Sequence, residues 1–248
     1  MKHIVFCLLM LGCFALGAVE LSGKKEFIQL KWQNNMMRPV FTVSFRVKIA
    51  KKDMVIPENV KERGRVLFTM DAKPAVPEGL TSIKAFFQMR SFPTGGYAGF
   101  QAGARTPEEA KPVIARYNVF WRAANSQVPT DEFVRVTLIY CDGEFGVYIN
   151  RNNIASQHKK VILPMGYAAP EYVMNFGGMG KRHNIRCAIE DVTIFDRALT
   201  TDDLNSLLTN EQPAKIPGLL AHYPLKKDYN PAAAASGVSI KVIKNKAR

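Results

Sequence analysis

Phe133-Val-Arg-Val-Thr-Leu-Ile-Tyr-Cys-Asp-Gly-Glu-Phe-Gly-Val-Tyr-Ile-Asn150 reads as two β-strands around one tight turn. Val134, Val136, Leu138 and Tyr140 occupy every second position, and Phe145, Val147 and Ile149 resume that period beyond Asp142-Gly143. Successive side chains of a strand point to opposite faces, so this alternation paints an apolar stripe along one of them. Asp-Gly tolerates the positive φ that a two-residue hairpin turn demands. The segment is therefore a β-hairpin, and an antiparallel sheet has to be built around it.

Working outward, the same period recurs. In Val40–Ile49, Phe41, Val43, Phe45, Val47 and Ile49 share one face and Thr42, Ser44, Arg46 and Lys48 the other, the pattern of a half-buried strand. Further strands are expected at 65–70, 83–89, 97–101 and 113–122, separated by Pro-, Gly- and Lys-rich connections such as 71–79. The strand expected at 185–196 slips phase once: Cys187 and Ile189 sit in one phase, Val192 and Ile194 in the other. One extra residue at Glu190-Asp191 restores a common inward face, which predicts a β-bulge there. Thr200-Thr-Asp-Asp203 then forms a capping box for a short helix with Leu204, Leu207 and Leu208 on its apolar side. Many short strands and almost no helix imply an all-β, antiparallel β-sandwich with one short helix on its C-terminal side.

The chain has 248 residues, 47% of them apolar and 22% charged, which excludes a disordered polypeptide and suits one large domain. Lys2 and His3 precede an apolar run from Ile4 to Ala18 that ends in small residues, the layout of a secretory signal peptide over 1–18. About 15 apolar residues fall short of the roughly 20 a spanning helix needs. A lipoprotein reading, with Cys13 acylated, is the minor alternative. Removing 1–18 takes away Lys2 and no acid, so the formal charge of +13 becomes +12. It also removes Cys7 and Cys13, leaving Cys141 and Cys187, too few for a disulfide framework. By alternation, Cys141 shares the outward phase of Arg135 and Thr137 and Cys187 the inward phase of Ile189, which argues against a bond between them.

Ile189-Glu-Asp-Val-Thr-Ile-Phe-Asp-Arg-Ala-Leu199, followed by a capped helix, resembles the C-terminal signature of laminin-G-like domains. These are jelly rolls of the concanavalin A-like lectin/glucanase superfamily. Phe133–Gly143 with Val147-Tyr-Ile-Asn150 is similar to the same family's strand, turn and strand, and Phe41–Phe45 to an early sheet strand. Phe133 stands where the family often has Trp, and Asn150-Arg151 where it usually has Asn-Gly. The resemblance implies one jelly-roll domain over 19–210. Residues 211–248 are then a C-terminal extension, with one added strand and a basic tail. The strand is expected at Gly218–Leu225, filling the slot of a strand that in many relatives precedes the domain.

Glycan-cleaving members of the superfamily carry paired acids on one strand face. No Glu-x-Asp-x-x-Glu strand occurs here, and the adjacent Glu190 and Asp191 are expected to point apart, so no catalytic residue is assigned. Asp191, Asp196 and Arg197 are read as structural, serving the bulge and the turn into the helix. Calcium is common in such jelly rolls. No cofactor is required here, and Asp142, Asn150 and Asn152, with Asn153 and Asp71, are weak candidates for a calcium site. Tyr97, Tyr167 and Tyr172 are the candidate sugar platforms, and Lys181, Arg182 and His183 a basic patch for an anionic ligand. The resulting expectation is a secreted, periplasmic or cell-surface binding module without a transmembrane anchor. Its partner would be a glycan, including acidic polysaccharide, or another extracellular or envelope component. The alternative is an adhesion or protein-interaction module using the same sandwich, and the third reading is a glycan-cleaving enzyme of the same superfamily. Nucleic acid is disfavoured by the signal and the absence of a recognition motif.

Overall fold

The computed structural model describes residues 18–23, 26–33, 40–54, 65–73, 82–92, 95–105, 115–121, 128–141, 144–157, 171–178, 184–209, 212–225 and 238–244. Two seven-stranded antiparallel sheets form from them. In the first, β1 (Val19–Ser22), β12 (Arg186–Phe195), β3 (Val40–Lys48), β8 (Phe133–Cys141), β9 (Glu144–Ile149) and β10 (Asn152–Gln157) run in that order, and β13 (Leu219–Tyr223) also pairs with β12. The second runs β14 (Val238–Lys244), β2 (Glu26–Gln33), β11 (Glu171–Phe176), β4 (Arg65–Lys73), β5 (Ser82–Phe92), β6 (Gly95–Arg105) and β7 (Ala115–Trp121). The fold class is thus the expected all-β jelly-roll sandwich.

Alternation places the core between the sheets. Phe45 of the first sheet meets Phe68 and Phe176 of the second with ring centroids 5.7 and 5.1 Å apart. Such aromatic pairs hold the layers together beyond simple area burial. The hairpin is present in the expected register, Cys141 opposite Glu144 and Val136 opposite Ile149. The bulge is present too: the β12–β3 register shifts between Glu190 and Thr193, and Asp191 takes a φ of 53°. Ile189 and Val192 then both face the core, as the phase slip requires.

The outer face of the first sheet departs from the half-buried expectation. Thr42, Ser44 and Thr137 are fully buried there. The reason is the chain beyond β12, which folds back over them. Helix α2 (Thr201–Thr209) joins the 3-10 turn Pro213–Lys215 in covering this face. Leu204 and Leu207 pack with Phe195, Leu199 and Ile216 into a second apolar cluster outside the sheet. The helix starts at the expected capping box: Asp203 Oδ2 accepts from the Thr200 N–H at 2.8 Å, and the Asp203 N–H donates to Thr200 Oγ1 at 3.3 Å. Thr42 Oγ1 donates to the Arg197 carbonyl at 2.7 Å, tying the sheet to the returning loop. Besides α2, the described residues hold only one further α-helix, the single turn α1 (Lys51–Met54).

Beyond residue 211 the described residues hold two strands, where one was expected. β13 pairs with 192–195 of β12, on the edge whose other half, 186–189, pairs with β1. Leu219–Tyr223 therefore occupies a slot in the sandwich. β14 pairs with β2 in the other sheet, so Lys241 and Lys244 belong to a strand and not to a tail. Residues 1–17, which hold all but the last residue of the expected signal peptide and the alternative lipoprotein site at Cys13, lie outside the described residues.

Gly177 has a φ of 77°, and a Cβ there would meet Leu21 Cδ1 at 2.3 Å. Gly177→Ala therefore adds backbone strain to overpacking and is expected to lower stability by about 2 kcal/mol in chemical denaturation. Cys141 and Cys187 are not joined by a disulfide, and Cys187 is buried, which pushes its thiol far up. Intact-mass labelling with iodoacetamide should modify Cys141 in the native protein and Cys187 only after unfolding. A mass change on reduction that reveals a bond between them would contradict this assignment.

Candidate functional site

Arg46 of β3 and Arg135 of β8 face each other directly across the sheet. Like charges in that position repel. The bulge resolves the conflict by setting two successive acids of β12 on the arginines' face. Glu190 Oε1 lies 2.7 Å from Arg46 Nη1, and Asp191 Oδ2 accepts from Arg135 Nη2. The expectation that these carboxylates point apart is therefore corrected. Regular alternation would separate them, but the left-handed residue of the bulge does not alternate. Asp191 adopts that backbone readily because its side chain is short and polar, and its N–H donates to the Pro224 carbonyl at 3.2 Å.

The Arg135 side chain is 1% exposed. Its Nη1 donates to Ser44 Oγ at 3.3 Å, and Ser44 shares a hydrogen bond with Thr137 at 2.8 Å. His222 of β13 lies 2.6 Å from Asp191 Oδ1 through Nε2. An ionised carboxylate only accepts, so Nε2 carries the proton of that bond. Burial alone would raise the Asp191 carboxyl, but the His222 hydrogen bond and the Arg135 guanidinium outweigh it and hold it at about 2. Burial lowers the affinity of Arg135 for its proton, from so high a starting point that the guanidinium stays charged at neutral pH. Arg135 Nε is buried and has no hydrogen-bond partner among the described residues.

A cleft of about 420 Å³ opens on this same outer face, beside α2. Arg46, Arg135 and Arg151 line it, with Asn150 and Asn152 between them and Phe133, Leu207 and Leu208 as its apolar part. No carboxylate is among the described lining residues. The turn that supplies Asn150 and Arg151 is pinned to β8: Asn150 has a φ of 54°, its Oδ1 accepts from the Arg135 N–H at 2.9 Å, and its own N–H donates to the Arg135 carbonyl at 2.7 Å. The Arg46 guanidinium sits 5.2 Å from the Phe133 ring centroid, a cation–π contact that leaves a flat, amphipathic wall. A second cleft of about 340 Å³ lies where β1 meets β12. Glu20 and Asp53 face it together with Lys48 and Arg186, so its charges are mixed.

The candidates read from the sequence go elsewhere. Tyr97 is the third residue of β6, opposite Arg90 and Phe120, and Tyr172 the second of β11, opposite Trp32 and Ala72. Both stand in the second sheet, Tyr97 in the strand expected from residue 97 and Tyr172 in β11, a strand outside the expected set. Gly95 and Gly96 continue the ladder because pairing needs only backbone N–H and C=O groups. Tyr167, Lys181, Arg182, His183 and Asp142 lie outside the described residues. Asn150 Oδ1 already accepts from the Arg135 N–H. No group of three His, Cys, Asp or Glu that could hold a metal occurs among the described residues.

No family model matches the chain, and no curated protein matches it. Solved structures do. The native heptameric SAP-like pentraxin from Limulus polyphemus is 14% identical with a TM-score of 0.47, over 90% of this chain and 97% of that one. The CBM40 of Ruminococcus gnavus IT-sialidase, bound to α2,3 sialyllactose, is 11% identical with a TM-score of 0.43, over 77% and 96%. A Trypanosoma rangeli sialidase mutant is 14% identical with a TM-score of 0.41, and this chain spans 23% of its length. At such identities and scores the chemistry of the site has to come from its own residues.

Asp191 gives the site a pH signature. Its folded value lies below the ordinary 3.8, so its contribution is complete above about pH 4 and is lost as pH falls through about 2. That contribution is about 2 kcal/mol. Asp191→Asn should abolish this acid-dependent loss and destabilise the protein at neutral pH by about 3 kcal/mol, because Arg135 is left buried without its counter-charge. Urea titrations from pH 2 to 7 measure both. Replacing both partners, as in R135M/D191N, should cost less than the sum of the single changes.

Proposed function

We propose that this chain is a secreted, non-catalytic, laminin-G-like module that binds carbohydrate, with the cleft beside α2 as its site. The observation that carries this reading is the composition of that cleft. Guanidinium and carboxamide groups surround a ring and two leucines, with no carboxylate among the described lining residues. Sugars offer hydroxyl acceptors around their edges and C–H bonds on their faces, which matches donors set around a flat apolar wall. Hydrolysis of a glycosidic bond needs two carboxyl groups about 5–10 Å apart, whereas Glu190 and Asp191, the acids beside this cleft, are each committed to an arginine and no carboxylate is among its described lining residues. Secretion is supported by the signal-like pattern of residues 1–18. Among the described residues no helix is long and apolar enough to cross a membrane.

A glycan array probed with the chain lacking residues 1–18, at low and at about 0.5 M salt, tests this reading. Binding to a defined set of oligosaccharides, without release of shorter products on prolonged incubation, is the expected result. The variant Phe133→Ala should lower affinity about tenfold while leaving the far-ultraviolet spectrum unchanged. Absence of glycan binding, or turnover of a bound glycan, would contradict it.

A further inference from the structure

We propose that the cleft beside α2 is a subsite for one monoanionic group, the carboxylate of an acidic sugar or a sulfate ester, held by Arg151 and by the Nε–H of Arg135. This deepens the glycan-binding reading and rests on it. The first argument is charge. Three guanidiniums line the cleft, and two of them are matched outside it, Arg46 by Glu190 and Arg135 by Asp191. Arg151 is exposed and has no ion pair among the described residues. One positive charge is left over, which suits one negative charge and not two.

The second argument is donor count. The Nε–H of Arg135 is buried and has no acceptor among the described residues, although Arg135 itself lines the cleft. A buried donor left unmade is costly, and a ligand oxygen placed there would remove that cost. Asn150 spends its carboxamide oxygen on the Arg135 N–H, which leaves its NH2 group as a further donor. A lining rich in donors, without a carboxylate to repel an anion, selects a ligand group that only accepts. A carboxylate or a sulfate ester does so, and its planar or tetrahedral oxygens fit the two-pronged edge of a guanidinium.

The third argument is rigidity. Arg135 is fixed by Asp191 and Ser44, Asn150 by two backbone bonds to β8, and Arg46 by Glu190 and the Phe133 ring. Only Arg151 is free to close over a ligand, so the donors are ordered before the anion arrives. Preorganisation of this kind reduces the entropy lost on binding.

Titration calorimetry with oligogalacturonate, dextran sulfate and neutral dextran of equal length tests the proposal, using the wild-type chain, Arg151→Ala, Arg151→Lys and Lys215→Ala. Lys215 is an exposed lysine outside the cleft whose loss removes the same charge. The proposal expects one or both acidic polymers to bind, and the better of the two identifies the anion. Arg151→Ala should weaken that binding at least tenfold, Arg151→Lys about threefold, and Lys215→Ala less than twofold. Equal losses from Arg151→Ala and Lys215→Ala would overturn it, since a general basic charge would then be responsible. Neutral dextran binding as tightly as the acidic polymers would also overturn it while leaving the glycan reading intact. If no polymer binds but methyl sulfate or acetate shifts the Arg151 Nε–H resonance in nuclear magnetic resonance, the anion site stands and the glycan reading falls. No response to any probe would overturn both.

Discussion

Arg46 and Arg135 lie side by side on the outer face of a sheet, and everything near the cleft follows from how that pair is neutralised. A regular strand cannot present two adjacent acids to one face. The bulge in β12 can, and Glu190 and Asp191 use it. The same extra residue keeps Ile189 and Val192 on the core face, so a single irregularity serves the sandwich interior and the outer surface at once. It also divides the edge of β12, with β1 paired on one side of the break and β13 on the other. His222 of β13 reaches back to Asp191, which links the late strand to the charge cluster.

Breaking one member of a buried ion pair is more harmful than replacing both, because the survivor keeps its desolvation cost. Arg135 is the member with most to lose. Its guanidinium is held by Asp191 and Ser44, and its backbone by the Asn150 turn. The stability of the outer face and the geometry of the cleft therefore share residues.

Much of the fold was legible in the sequence, for reasons that can be named. Alternation in Phe133–Asn150 and Val40–Ile49 reports directly which side chains face the core, and the phase slip at Glu190-Asp191 locates the bulge. The capping box at Thr200 and Asp203 marked the start of α2 because its hydrogen bonds are local. The site was not legible in the same way. Alternation says that Arg46 and Arg135 leave the core, but not that α2 returns to cover that side. Nor does a single strand show that two arginines stand opposite one another. Arg151 left a trace, as the departure from the Asn-Gly of resembling hairpins, but its meaning depends on a cleft made by residues some 55 positions later. Tyr97 and Tyr172 fall in strands of the second sheet, whereas the cleft beside α2 lies on the first, a separation that no single strand's pattern reveals.

The central claim is that a ligand's negative group meets Arg135 and Arg151 on the outer face of the first sheet. The most direct measurement is the arginine Nε–H nuclear magnetic resonance spectrum of the full chain during titration with an acidic oligosaccharide. The account predicts that the Arg135 and Arg151 signals shift together and saturate at one equivalent, with the backbone amides of the second sheet unmoved. Shifts confined to β4 through β7, with the Arg135 signal unchanged at saturation, would contradict it.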